Sequence, residues 1–156
     1  MEIVPATARH RGFVRKLAAE VFARFGDYET MLPLMMRAPE VHTWIAEASG
    51  RPLGFVMLST EQAAAGECDL TAIAVLPDVE GRGIGRRLLD RAEREALARL
   101  PRSGPAALRL TVADDNRRAR RFFESRGYRL VAEELDCYHG GQRAMTLRKP
   151  LQLPGA

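Results

Sequence analysis

The stretch that decides the fold is VEGRGIG, Val79–Gly85, with glycines at 81, 83 and 85. It follows LTAIAVLPD (70–78) and leads into RRLLDRAEREAL (86–97). The first flank reads as a strand, the second as an amphipathic helix. A strand that passes through glycines into a helix can gather backbone N–H groups at one point beyond its end. With the positive end of the helix, such a group suits a phosphate or pyrophosphate. A tight strand-to-helix turn uses the same glycines with no ligand, so the loop alone leaves both readings open. Two phosphate-loop types do not fit. A Walker A loop needs Gly-Lys-Ser/Thr where this chain has Gly85-Arg86-Arg87. A dinucleotide fingerprint needs GxGxxG beside a first strand, and here the spacing is GxGxG in mid-chain.

Outward from the loop, MEIVPA (1–6) reads as a first strand. Phe13, Leu17, Val21 and Phe25 recur every four residues, predicting a helix after Thr7 as N-cap that runs to a stop at Gly26. YETMLPLMM (28–36) reads as a short helix broken by Pro33. Two β-like runs flank SGRP (49–52), and ECDLTAIAV (67–75) is a third. Ile84, Leu88, Ala92 and Ala96 line one face of a helix from Gly83 to Leu100. ALRLTV (107–112) is a strand, and NRRARRFFESRG (116–127) a short helix with Asn116 as N-cap. Two last strands flank HGGQ (139–142). The order β-α-α-β-β-β-α-β-α-β-β predicts one α/β domain over 1–156, a mixed sheet with helices on both faces.

Composition supports a globular chain: 46% hydrophobic and 28% charged over 156 residues. Residues 1–78 carry 7 basic and 10 acidic side chains, and residues 79–156 carry 17 and 10. The positive second half suggests an anionic partner. Nucleic acid is not expected, because no aromatic platform or known module accompanies the arginines. Cys68 and Cys137 are not spaced as a zinc site or disulfide framework, and are assigned to packing or the surface. No leader opens the chain and no apolar run approaches the ~20 residues that span a bilayer. A soluble cytoplasmic protein is the expectation. Oligomeric state stays open, a homodimer being the commonest oligomer.

Two segments together resemble the GNAT superfamily of acyl-CoA-dependent N-acetyltransferases. Val75-Leu76-Pro77 followed by Glu80-Gly81-Arg82-Gly83-Ile84-Gly85 is similar to that family's acetyl-CoA loop. Asn116, Ala119, Phe122, Phe123, Gly127 and Tyr128 fall on its Asn-x-x-Ala-x-x-Phe-Tyr-x-x-x-Gly-aromatic signature. The order of elements is also similar along nearly the whole chain.

The resemblance implies a GNAT fold with a six- to seven-stranded, mostly antiparallel sheet, acetyl-CoA as co-substrate and no metal. It implies direct acetyl transfer to a primary amine of a small molecule, peptide or protein. Backbone N–H groups from about Arg82 through Gly83, Ile84, Gly85 and Arg86 to Arg87 would cradle the pyrophosphate. The Val75 N–H would bond the thioester carbonyl. The strand carrying Ala74 and Val75 would bulge and splay from ALRLTV, with pantetheine in the gap. Asn116 would hold pantetheine. Arg118, with Arg117, Arg120 and Arg121, would meet the 3′-phosphate, and Phe122 and Phe123 would lie beside the cofactor. The acceptor would be selected by residues 22–36 and 135–143.

Two departures bear on chemistry. Glu80 replaces the usual glutamine or arginine, and is expected to face solvent, Arg82 or Arg86. Phe123 replaces a tyrosine commonly assigned as the acid that protonates departing CoA thiolate. Tyr138 and Tyr28 are the candidate replacements, Tyr128 being a packing position. Thr111 stands where many relatives carry a glutamate base. Glu67 and Asp69 on the earlier strand are alternatives, with Glu67 the candidate base and His42 and His139 further proton acceptors. Asp114 and Asp115 read as turn residues. These departures also permit a second reading, a catalytically weak acyl-CoA sensor or regulatory module.

Overall fold

A computed structural model describes residues 1–152, with residues 135–137 described in backbone only. The strands are β1 (Glu2–Pro5), β2 (Val41–Ala48), β3 (Arg51–Ser59), β4 (Glu67–Val75), β5 (Ala107–Ala113), β6 (Arg129–Cys137) and β7 (Arg143–Pro150). The helices are α1 (Arg11–Val21), α2 (Tyr28–Met35), α3 (Ile84–Arg99) and α4 (Arg117–Ser125). The seven strands form one sheet in the order β1-β2-β3-β4-β5-β7-β6. Only the central pair, β4 and β5, is parallel. The element order is the one read from the sequence.

Strand alternation divides the core between two faces. Along β3, Phe55 and Met57 pack with Val14, Leu17 and Ala18 of α1 and Leu32 of α2. Val56 and Leu58 turn the other way, onto Leu88, Leu89, Ala92 and Ala96 of α3 and Phe123 of α4. The predicted stripe of α3 is thus the buried one, and Leu88 is fully enclosed. Burying one such leucine is worth about 1.5–3 kcal/mol.

The feature that makes the site is the divergence of β4 from β5. The two pair only from Glu67↔Ala107 to Asp69↔Arg109. Against β3, Met57 faces Ala72 while Leu58 faces Leu70, which leaves Thr71 as an extra residue. This bulge reverses the facing of β4. Cys68 and Leu70 pack on the α3 side, whereas Ala72 and Ala74 pack on the α1 side. Beyond Asp69 the sheet is therefore split at its centre.

Three local expectations are corrected. Helix α1 ends at Val21 rather than at Gly26, and the Phe25 N–H closes a turn onto Phe22 O at 2.9 Å. Phe25 leaves the helical stripe because its ring packs on Tyr138, 5.6 Å between centroids. Pro33 lies inside α2 without breaking it. The carbonyl its missing N–H would have served belongs to Glu29, which is exposed to water. Thr7 precedes a 3-10 turn (Ala8–His10) instead of capping α1, and its N–H donates to His10 Nδ1 at 2.9 Å.

Candidate functional site

The glycine loop leaves β4 through a 3-10 turn (Pro77–Val79). Gly81 and Gly83 both take φ +80°, and Gly83 is the N-cap of α3. A β-carbon at either would meet nothing within 4 Å, so conformation rather than space selects glycine there. The Arg87 N–H is the first to close on this turn, reaching Gly83 O at 3.1 Å. The N–H groups before it stand at the positive end of a sixteen-residue helix. Gly85 does something else. A β-carbon there would lie 3.7 Å from the Phe122 ring and 3.8 Å from Val75 Cγ2, so this glycine packs α3 against α4 and β4.

Arg82 and Arg86 line the cleft beside the loop, as do Ala74, Val75, Asn116, Arg118, Phe122 and Phe123. Arg87 does not: its side chain donates to Met1 O at 3.3 Å, away from the loop. Arg117, Arg120 and Arg121 are likewise not among the residues lining the cleft. Arg120 instead pairs with Glu124 at 2.6 Å. Glu80 turns neither to solvent alone nor to Arg82 or Arg86. It meets Arg118 at 2.8 Å, bridging the loop to α4 across the cleft. Asn116 caps α4, its Oδ1 accepting the Ala119 N–H at 3.3 Å, which leaves its NH₂ as a donor.

The split strand supplies the next donors. Leu76 N–H bonds Leu53 O at 2.8 Å, and antiparallel alternation then turns the N–H groups of Val75 and Ile73 to the edge facing β5. The Ala74 N–H, by the same alternation, points to β3.

Through the split the cleft opens into a cavity of about 170 Å³, sharing Phe22, Ile73, Asn116, Ala119 and Phe123 with it. The roof is aromatic: Phe22, Phe25, Tyr28 and Tyr138. The segment between α1 and α2 is pinned over it. Arg24 pairs with Asp115 at 2.9 Å, and Gln142 Nε2 donates to Arg24 O at 3.2 Å. Tyr138 Oη donates to Thr111 Oγ1 at 3.2 Å. Burial pushes the Tyr138 hydroxyl above the usual tyrosine range, the Thr111 contact opposing it. Tyr28 is raised as well, by burial and then by Tyr138. Both hydroxyls therefore keep their protons at neutral pH.

The other predicted groups lie elsewhere. Glu67 sits at the closed end of the split, 3.0 Å from Arg148 and 3.9 Å from Arg109, and does not line the cavity. Asp69 is raised by burial, with Arg109 opposing. His42 stacks on Trp44 in β2, and burial lowers its pKa. His139 is exposed, next to Gly26. Cys68 is fully buried, and burial raises its thiol to about 11, which suppresses the nucleophilic thiolate. The Cys137 side chain lies outside the described residues. Tyr128 donates to Glu93 at 2.8 Å from inside the core. Two contributors are not apparent from the sequence: Phe25 fits the helical period but serves the cavity, and Thr111, which stands where many relatives carry a glutamate, partners Tyr138.

Among the described residues no three His, Cys, Asp or Glu side chains gather as a metal site, and no helix is long and apolar enough to cross a membrane. The model of the acetyltransferase (GNAT) family matches residues 14–128. A mycothiol acetyltransferase of Beutenbergia cavernae is 32% identical over 125 residues, covering 74% of this chain and 40% of that protein. The chain spans 40% to 46% of the length of two curated relatives it matches. Among solved structures, an aminoglycoside 6'-N-acetyltransferase complexed with coenzyme A superposes with TM-score 0.78 at 16% identity, over 100% of both chains. The ribosomal-protein-S18-alanine N-acetyltransferase of Escherichia coli superposes with TM-score 0.74 at 20% identity, covering 99% of this chain and 96% of that one. These two likenesses carry the fold. The family match, over most of the chain and across both the glycine loop and the Asn116–Tyr128 segment, places this protein in the GNAT acetyltransferase family.

Proposed function

We propose that this protein transfers an acetyl group from acetyl-CoA directly to a primary amine. The observation that carries the reading is the continuous groove from the glycine loop, through the split between β4 and β5, to the aromatic cavity. Its donors fit the co-substrate: open N–H groups at the start of α3, two arginines beside them, and strand N–H groups turned into the gap. Arg82 and Arg86 would add charge at the pyrophosphate, and Arg118 at a phosphate. The Val75 N–H would hold the thioester carbonyl and the oxyanion that develops there. Asn116 would hold pantetheine along the gap, walled by Phe122 and Phe123.

Acetyl-CoA supplies an activated acetyl group. The C–N bond forms as the C–S bond breaks, the acceptor nitrogen loses one proton and the sulfur gains one. Tyr138 is the residue we assign to that second proton, with Tyr28 the next hydroxyl lining the cavity. Glu67, tied to two arginines, would brace the closed end of the split rather than touch the amine. We place the protein in the cytoplasm, where its co-substrate is made and used.

Calorimetric titration with acetyl-CoA, against NADH and desulfo-CoA, tests the binding half. Micromolar acetyl-CoA binding without NADH binding is expected. Release of CoA thiol with a panel of amines and peptides tests the rest. Tight binding with no acceptor-dependent release would instead favour an acyl-CoA sensor, the reading that buried Phe123 keeps open.

The Glu80–Arg118 pair allows a smaller prediction. Its arginine is 77% exposed, and an exposed pair is worth at most about 1 kcal/mol. Glu80→Gln frees Arg118 for a phosphate and should tighten acetyl-CoA binding by no more than about fivefold by calorimetry.

A further inference from the structure

Resting on the acetyl-transfer reading, we infer that the acceptor is a peptide presenting its terminal amine, with apolar side chains in the residues that follow. The cavity is the starting point. The chain has ten aromatic residues, and five of them, Phe22, Phe25, Tyr28, Phe123 and Tyr138, line this one space. An apolar wall of that kind suits an amine with apolar surroundings better than a heavily hydrated polycation.

The wall does not stop at the cavity. Tyr28 opens α2, and residues three and seven positions on, Met31 and Met35, share its flank, with Leu34 beside them. Met31 is 42% exposed and Leu34 66%. Large apolar side chains this exposed are few among the described residues: Met1, Met31, Leu34, Leu130 and Val131. Two of the five therefore stand on the outside of α2, one and two turns beyond the tyrosine that lines the cavity. Met35 is half-buried and packs, like Tyr28, against the α1 side of the core, so the inner flank of α2 is apolar from its first turn to its last.

Length selects the occupant. From Tyr28 to Leu34 is about 9 Å along the helix axis at ~1.5 Å per residue. A small amine that fills the cavity does not reach that far. An extended chain covers the distance in about three residues at ~3.3 Å each. The amine would then lie under Tyr138, and the second and third side chains against Met31 and Leu34.

The test compares short synthetic peptides of one length that differ only at positions 2 and 3, leucine and methionine against aspartate and lysine. Alaninamide and spermidine serve as small acceptors. Thiol release gives kcat and KM separately. The apolar peptide should exceed the polar ones and both small amines by at least tenfold in kcat/KM. In Met31→Glu/Leu34→Glu, two exposed positions whose replacement spares the core, its KM should rise about tenfold and its advantage should collapse, with acetyl-CoA affinity unchanged. Calorimetry of the same peptide against protein holding desulfo-CoA reads the surface without turnover. Binding that the double variant weakens tenfold supports the inference even if no thiol is released, and that absence would count against the transfer reading alone. Equal or better use of spermidine or polar peptides overturns it. So does peptide binding indifferent to the double substitution, or a dimer in sedimentation that Leu34→Glu dissociates, since a second copy would then cover the strip.

Discussion

Tyr138→Phe is expected to lower kcat by about a hundredfold near pH 7, with acetyl-CoA affinity little changed, because a positioned general acid contributes roughly 10²–10⁴. The argument is geometric first. The hydroxyl lies inside the cavity, 3.2 Å from Thr111 Oγ1, on the far side of the split from the glycine loop. Burial raises its pKa, so it holds its proton across the working range. The leaving group sets the pH dependence. A thiol of pKa ~8.5 departs as a thiolate that needs a proton below that pH and not above it. The deficit should therefore be largest below about pH 8 and shrink as pH rises through 9, the reverse of what loss of a general base would give. A pH–rate profile of wild type and variant decides it. A deficit that does not vary with pH would mean that Tyr138 only packs against Phe25. Tyr28→Phe is the internal comparison: if it shows the pH-dependent loss and Tyr138→Phe does not, the two roles exchange.

That assignment shows where sequence reading stops. The strands and helices were legible because their signals are local: period two along β3, the four-residue stripe Ile84, Leu88, Ala92 and Ala96 along α3, the asparagine that caps α4. The two motifs then named the family. Features made by contacts between distant segments were not legible. The resemblance implies that this strand bulges and splays, but nothing around Thr71 itself places the bulge there. That one extra residue turns β4 over beyond Asp69, where pairing with β5 has ended. Phe25 keeps helical spacing and still leaves α1, because the ring it prefers is on the β6–β7 turn. Glu80 finds Arg118 only because α4 packs beside the loop. Arg87, charged and next to two cleft arginines, points away because the helical turn carries it toward Met1. Pro33 reads as a break, but the carbonyl it strands belongs to Glu29, an exposed residue, where water can satisfy it.

The glycine loop itself gives the second large effect, and separates what the sequence shows as three equal residues. Gly83→Val is expected to weaken acetyl-CoA binding by about 10- to 100-fold, or ~1.4–2.7 kcal/mol. Valine strongly resists φ +80°, and a β-branched residue held there costs on the order of 1–3 kcal/mol. Since a β-carbon at this position touches nothing, the loop can relieve the strain by turning its peptide planes. The N–H groups then no longer converge ahead of α3. The loss should therefore appear in affinity rather than in fold, with the melting temperature moving by only a few degrees. Gly85→Ala should behave differently. Its φ is not positive, and its new methyl would meet the Phe122 ring and Val75 at ordinary contact distance, 3.7 and 3.8 Å. A change in Kd below about threefold is expected there. Calorimetry on both variants checks the contrast. Equal losses would mean that the left-handed conformation of Gly83 carries no special share of the affinity, and that the pyrophosphate is held mainly by Arg82 and Arg86. A loss confined to Gly83→Val would tie the affinity to backbone N–H groups whose direction only a left-handed residue can set.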